Sequence, residues 1–259
     1  MVIKGVQHQL NVLSSVMTST LTGWRGTSAL AHVKKAAKPL ILFDMEGCPY
    51  CRSVRESLTA LGLDVLIQPC PKGGQRFRPE AQKLSGRQQF PLLVDPNTQT
   101  LLLESSAINR YLFTTYGPGE VPRRLRSGRI KTGLSSVGSA VRHLRGLHAA
   151  ASHAPAQPLQ LWSFESSPYS RLVRERLCEL ELPYLLHNLG KEQFADLGPA
   201  KMRIKPGPYR PVPGGPRAAM LLSKGRVQVP YLEDPNTGTK LFESADIIDY
   251  LNRTYAAAS

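Results

Sequence analysis

Apolar and polar positions along the chain fall into two series of elements. Short apolar runs at 40–43 and 159–162 have the length and composition of buried strands. Each is followed by a segment with apolar residues at helical spacing. Val54, Leu58 and Leu61 mark 49–61, and Leu172, Leu177 and Leu180 mark 168–181. Pro49 and Pro168 open these segments, where a residue without an N–H leaves no helical hydrogen bond unmade. Further strands are predicted at 63–68 and 184–188. Two hairpins then pair 91–95 with 100–103 and 230–234 with 239–242, each turning at Asp-Pro-Asn-Thr. Amphipathic helices at 105–115 and 244–254 close the two series.

The two series are copies of one another. Leu40–Arg55 (LILFDMEGCPYCRSVR) aligns without a gap with Leu159–Arg174 (LQLWSFESSPYSRLVR), 119 residues on. Phe90–Leu112 aligns with Val229–Leu251 at 139 residues, so the second copy holds about 20 extra residues in its middle. The order β-α-β, connector, β-β-α predicts two tandem α/β domains. Their boundaries are a basic N-terminal extension at 1–37, domain one at 38–117, a basic linker at 118–156 and domain two at 157–259. The connectors differ. Residues 69–89 carry Cys70, Lys72, Arg76 and Arg87, whereas 199–217 contain six prolines and read as an extended loop.

Composition narrows the classes. No run of about 18–20 uncharged apolar residues is present, which excludes a membrane-spanning helix. Four cysteines are too few for a disulfide-stapled secreted scaffold. The net charge of +14 lies almost wholly in residues 1–43 and 121–164, which contribute five and seven positive charges and no acid. The basicity thus belongs to the leader and linker, which argues against a nucleic-acid face and reads as solvated, weakly ordered connectors. Contact with an anionic membrane surface or with RNA is the other reading. In the leader Leu13, Val16, Met17 and Leu21 fall at helical spacing, the pattern of an interfacial helix or an organelle-targeting peptide. The expectation is a cytoplasmic protein with a weakly ordered extension; organelle targeting or peripheral membrane attachment is the alternative.

The candidate chemistry is Cys48-Pro49-Tyr50-Cys51, standing after a strand and opening a helix. A thiol there faces unpaired N–H groups and the positive end of the helix dipole, both of which favour thiolate. Cys48 is therefore the expected nucleophile and Cys51, one turn in, the resolving thiol. Half of a zinc site and a pair of packing cysteines are the competing readings; Cys70 and Cys178 supply no second pair, and no metal is expected. Cys70 is either a third redox thiol or a buried loop residue. In the second copy Ser167-Pro168-Tyr169-Ser170 replaces the motif, so that half cannot perform thiol exchange.

With these motifs the sequence resembles a tandem of glutaredoxin-like modules, specifically the thioredoxin-fold N-terminal domain of glutathione S-transferases, over about 38–117 and 157–256. The resemblance implies two thioredoxin-like domains, without the all-helical domain that follows in the transferases. It also implies glutathione as co-substrate. Pro91, after Phe90, falls at the family's cis-proline, and Glu104-Ser105 falls where the γ-glutamyl end binds, with Tyr50 beside the thiol. Ser167, Tyr169, Val229, Pro230, Glu243 and Ser244 form the corresponding second candidate site. Lys72, Arg76 or Arg87 would meet the glycyl carboxylate. The implied activity is glutathione-dependent thiol–disulfide exchange on protein or small-molecule disulfides. The alternatives are glutathione transfer or isomerisation, with Ser167 on the sulfur, and a non-catalytic glutathione-binding or assembly module.

Overall fold

The computed structural model describes residues 2–31, 33–126, 128–142, 144–198 and 208–257. Helix α1 (Val2–Leu21) precedes the first series: β1 (Leu40–Asp44), α2 (Pro49–Leu61), β2 (Val65–Pro69), α3 (Arg78–Ser85), β3 (Leu92–Asp95), β4 (Thr100–Leu103) and α4 (Ser105–Tyr116). Helix α5 (Arg129–Val141) precedes the second: β5 (Leu159–Ser163), α6 (Pro168–Glu179), β6 (Tyr184–Asn188), α7 (Pro216–Lys224), β7 (Tyr231–Asp234), β8 (Thr239–Leu241) and α8 (Ser244–Tyr255). The connectors each hold a helix, α3 and α7. The stretch read as an extended loop has no helix at 208–215, and its residues 199–207 lie outside the described residues.

Among the described residues all strands join one mixed sheet, in the order β4-β3-β1-β2-β6-β5-β7-β8. Within each half the first two strands are parallel and the hairpin is antiparallel to them. The halves meet where β2 pairs antiparallel with β6, Leu66 opposite Leu185. One apolar cluster under α2, α4, α6 and α8 draws residues from both halves, including Leu42, Leu58, Ile108, Leu161, Leu177 and Ile247. The other face carries two smaller clusters, around Phe43 with Ala81 of α3 and around Tyr231 with Met220 of α7. Alternation along β1 explains the division: Leu40 and Leu42 point to the shared cluster, Ile41 and Phe43 to the other face.

The Asp-Pro-Asn-Thr turns tie each hairpin to its closing helix. Asp95 accepts hydrogen bonds from the hydroxyls of Tyr111 (2.7 Å) and Tyr116 (2.5 Å) and from the Asn97 backbone (2.8 Å). Asp234 repeats the arrangement with Tyr250 (2.6 Å), Tyr255 and Asn236 (2.8 Å).

The leader and linker are not weakly ordered connectors. They fold as α1 and α5, which pack against one another, α1 also against α6 and α5 against α2. Their buried faces are hydroxyl-rich: Ser15, Thr18, Ser19 and Thr22 in α1 and just after it, and Ser135 in α5. These hydroxyls meet backbone carbonyls; Ser15 Oγ donates to Pro168 O (2.9 Å) and Ser139 Oγ to Gly47 O (2.9 Å). Where α1 crosses α5, a Cβ on Gly138 would lie 2.8 Å from the Thr18 methyl, so the close approach requires glycine.

Candidate active site

Helix α2 begins as expected, with Cys48 as N-cap in extended conformation and Pro49 in the first turn. The Cys48 side chain is nearly buried (8% exposed) yet belongs to none of the apolar clusters. Its thiol is held down at about 7. The hydrogen bond from the Cys51 thiol is the largest cause; burial opposes it, and the backbone N–H groups of Cys51 and Tyr50 add to it. Cys51 is fully buried and is pushed well up, by burial first and then by its bond to Cys48. One sulfur is therefore readied as thiolate and the other kept as thiol. Both are reduced.

Cys70 and Cys178 are also buried, and burial pushes both thiols up. Cys70 sits against Phe43 and Leu92 as a packed residue. Cys178 donates to Gly146 O (3.2 Å) and receives the Glu46 N–H (3.4 Å). Among the described residues no group of His, Cys, Asp and Glu side chains could hold a metal ion.

The Phe90–Pro91 and Val229–Pro230 bonds are both cis. The Phe90 ring is half-buried under the Arg78 guanidinium, 4.9 Å from its centroid. Tyr50 and Tyr169 are exposed. Glu104 caps α4 with φ of 69°, in the left-handed region a residue with a side chain seldom occupies, whereas its counterpart Glu243 has φ of −52°. Gln89 Nε2 donates to Glu104, and Gln228 Nε2 to Glu243 (2.9 Å). Ser105 and Ser244 are buried at the starts of α4 and α8, and Ser244 Oγ lies 3.2 Å from His8 Nε2 of α1. In the second half Ser167 caps α6, accepting from Ser170 N (3.3 Å) and Ser170 Oγ (2.9 Å). The Ser167–Ser170 pair thus stands where Cys48 and Cys51 stand in the first.

Arg76 is not available for a carboxylate. Its guanidinium donates to Leu180 O (3.1 Å), Glu181 O (2.6 Å) and Ser152 O (3.2 Å), across the joint between the halves. Lys72 pairs by its backbone with the linker: its N–H donates to Leu147 O (2.7 Å), and its carbonyl accepts from Ala149 N.

Behind the two helix starts lies a buried ionic network that the sequence reading missed. Arg55 donates to both oxygens of Asp44 (2.8 and 2.6 Å), to Glu46 O (3.0 Å) and to Glu165 Oε2 (2.9 Å). Arg174 answers from the other half, donating to Glu46 Oε1 (3.0 Å), Ser163 Oγ (2.9 Å) and Glu165 O (2.9 Å). Arg142 of the linker holds Glu175 (2.5 Å), and Arg25 of the leader holds Glu56 (3.0 Å). Burial alone would raise the Glu165 carboxyl, but Arg174, Arg55 and Arg52 outweigh it and hold it at about 2. The signal was present in the alignment: Glu46, Arg52 and Arg55 recur unchanged as Glu165, Arg171 and Arg174.

The loops that carry the candidate residues are capped by the leader and linker, and the caps repeat one another. Gly47 N donates to Gly146 O (3.2 Å), and Ser166 N to Gly26 O (3.2 Å). Gly146 (φ 71°) follows Leu144 (φ 57°) and Gly26 (φ 74°) follows Trp24 (φ 51°), so one turn is built twice. The linker caps the loop of the first half and the leader that of the second.

The mixed sheet, the repeated element order and the capped thiol at a helix start define a protein of thioredoxin-like fold. The model of the glutathione S-transferase N-terminal domain family matches residues 42–120 and, again, residues 161–259. The chain belongs to that family. Among solved structures, a Bombyx mori glutathione transferase is 28% identical over 32% of this chain and 38% of its own, with a TM-score of 0.29. Glutathione S-transferase III in its apo form is 32% identical over 33% of this chain and 41% of its own, at 0.26. A trimeric Leishmania glutathione transferase covers 86% of this chain and 68% of its own at 12% identity, with a TM-score of 0.28. The chain spans about two fifths of the length of the first two. No curated protein matches.

Proposed function

We propose that this chain is a glutathione-dependent thiol–disulfide oxidoreductase, built of two tandem thioredoxin-like domains of which the first carries the chemistry. The observation that carries this reading is the division of labour in the thiol pair, Cys48 at about 7 and Cys51 pushed well up. The Cys48 thiolate attacks one sulfur of a disulfide, forming a mixed disulfide and releasing the other sulfur as a thiolate. Cys51 then gives up its proton and attacks Cys48 Sγ, closing the Cys48–Cys51 disulfide and releasing the substrate's second thiol. Two glutathione thiols reduce that disulfide and leave as oxidised glutathione. The cis Phe90–Pro91 turn, Tyr50 and the Glu104–Ser105 helix start are the glutathione subsite of this reading, and the constrained backbone of Glu104 supports placing it in the first half. The test is reduction of a glutathionylated peptide by the parent and by Cys48→Ser. Loss of turnover in the variant is expected, and retained turnover overturns the assignment.

Glutathione transfer or isomerisation is the second reading, and the family match favours it. In it the Ser167 hydroxyl faces the glutathione sulfur, with Tyr169, Pro230, Glu243 and Ser244 around it. Conjugation by the parent that Ser167→Ala abolishes would establish it; absence of conjugation in both removes it.

A further inference from the structure

The helices that cap the two loops carry an outer face that the fold leaves uncovered. Inward, α1 presents small hydroxyl residues. Outward it presents an apolar stripe in which Leu10 (55%), Leu13 (60%) and Met17 (57%) are exposed and Trp24 closes the end. This inverts the usual arrangement, in which a surface helix buries its apolar face. Helix α5 runs antiparallel beside α1: Arg142 Nη1 donates to Asn11 O (2.8 Å), Thr18 Oγ1 to Gly138 O (3.1 Å) and Arg25 Nη2 to Ser135 Oγ (3.2 Å). It too turns apolar residues outward, Ile130 (81%), Leu134 (38%) and Val137 (51%). Two helices packed side by side thus both turn apolar residues outward, an arrangement that soluble surfaces seldom leave to water.

The charges around the patch identify what covers it. No acid occurs in 1–43 or 121–164, the segments that build it; Arg123 and Arg124 stand exposed just before α5, and Arg126 beside them is paired with Glu120 (3.2 Å). A second copy on this face would set like charge against like charge. An anionic bilayer surface matches both features, accepting leucine, methionine and tryptophan at the headgroup level and basic side chains beside them. No helix among the described residues is long and apolar enough to cross a membrane, so the association is interfacial. We propose that α1 and α5 together form a docking platform for the surface of an anionic lipid bilayer.

The experiment is flotation of the whole chain with vesicles of phosphatidylcholine and phosphatidylglycerol at ~2:1, and of phosphatidylcholine alone. The protein is expected to float with the anionic vesicles, to stay behind with the neutral ones, and to be released by salt. The double variant Leu13→Glu, Val137→Glu is expected to remain unbound with its Cys48 alkylation rate unchanged. Arg123→Gln and Arg124→Gln are each expected to weaken binding about fivefold. Three results overturn the proposal: no flotation with anionic vesicles, undiminished flotation of the double variant, or a dimer in sedimentation that the double variant abolishes. Should the double variant not fold, the salt and lipid dependence of the parent, with the two arginine variants, decides.

Discussion

Replacing Cys51 by alanine tests the electrostatics of the thiol pair directly. The Cys51 hydrogen bond is the largest influence holding Cys48 at about 7, and the backbone N–H groups of positions 50 and 51 are the remainder. Lowering a thiol from its ordinary ~8.5 to this level corresponds to about 2 kcal/mol in favour of the thiolate. At pH 7 about half of such a thiol is ionised, against roughly 3% of an ordinary one, a gain of about fifteenfold. Lower basicity gives back about four- to fivefold in nucleophilicity, leaving a net advantage of about threefold. Removing the Cys51 thiol leaves only the backbone donors against the upward push of burial, so the midpoint is expected to rise from about 7 toward the ordinary ~8.5, with Cys48 alkylation at pH 7 slowed by up to about threefold. The assay is the pH profile of iodoacetamide labelling at Cys48, read by mass spectrometry. Cys70 and Cys178 are fully or almost fully buried and remain unlabelled in the folded protein. A midpoint that stays at about 7, or falls, would refute the assignment of the Cys51 thiol as the donor.

Arg55→Met leaves Asp44 without its buried partner and takes from Glu165 one of its three arginines, and urea unfolding is expected to show a loss of about 3–5 kcal/mol; the exposed Arg253–Asp249 pair gives no measurable change on Arg253→Ala. Gly146→Ala places a Cβ 2.9 Å from Glu46 Cβ at a φ of 71°, and is expected to lower thermal stability by at least about 1 kcal/mol. Gly133→Ala, with nothing within 4 Å in mid-helix, is expected to raise it by up to about 1 kcal/mol, so equal effects would contradict the packing described here. Asp95 and Asp234 lie below the ordinary carboxylate range, because hydrogen bonds from the paired tyrosines and an asparagine outweigh the upward push of burial. Their contribution is present above the unfolded value of ~3.9 and is lost as pH falls through the folded one, so stability is expected to drop in acid. Tyr116→Phe should flatten that limb of the stability profile, and an unchanged acid limb would exclude the Tyr116–Asp95 bond as its source.

Local chemistry was enough to read the repeated elements, the Cys48–Cys51 site at a helix start and the Asp-Pro-Asn-Thr hairpins. Apolar spacing, a proline in the first helical turn and turn residues act within a few positions of one another, and their effect survives in one dimension. The ionic network was recorded in the sequence as Glu46, Arg52 and Arg55 and their recurrence 119 residues later, but the contacts that join it, Arg55 with Glu165 and Arg174 with Glu46, each depend on a partner in the other half. What the chain alone could not specify is the role of the leader and linker. Holding between them a single acid, Glu120, and rich in serine and threonine, they read as solvated strands of charge. The tertiary structure turns their hydroxyls inward because it brings the carbonyls of Gly47, Ser166 and Pro168 within hydrogen-bonding distance. A buried hydroxyl needs a specific partner, whereas an apolar side chain needs only the absence of water. That partner lies more than 90 residues away in each case, and only the packing of α1 against α6 and of α5 against α2 brings the two together.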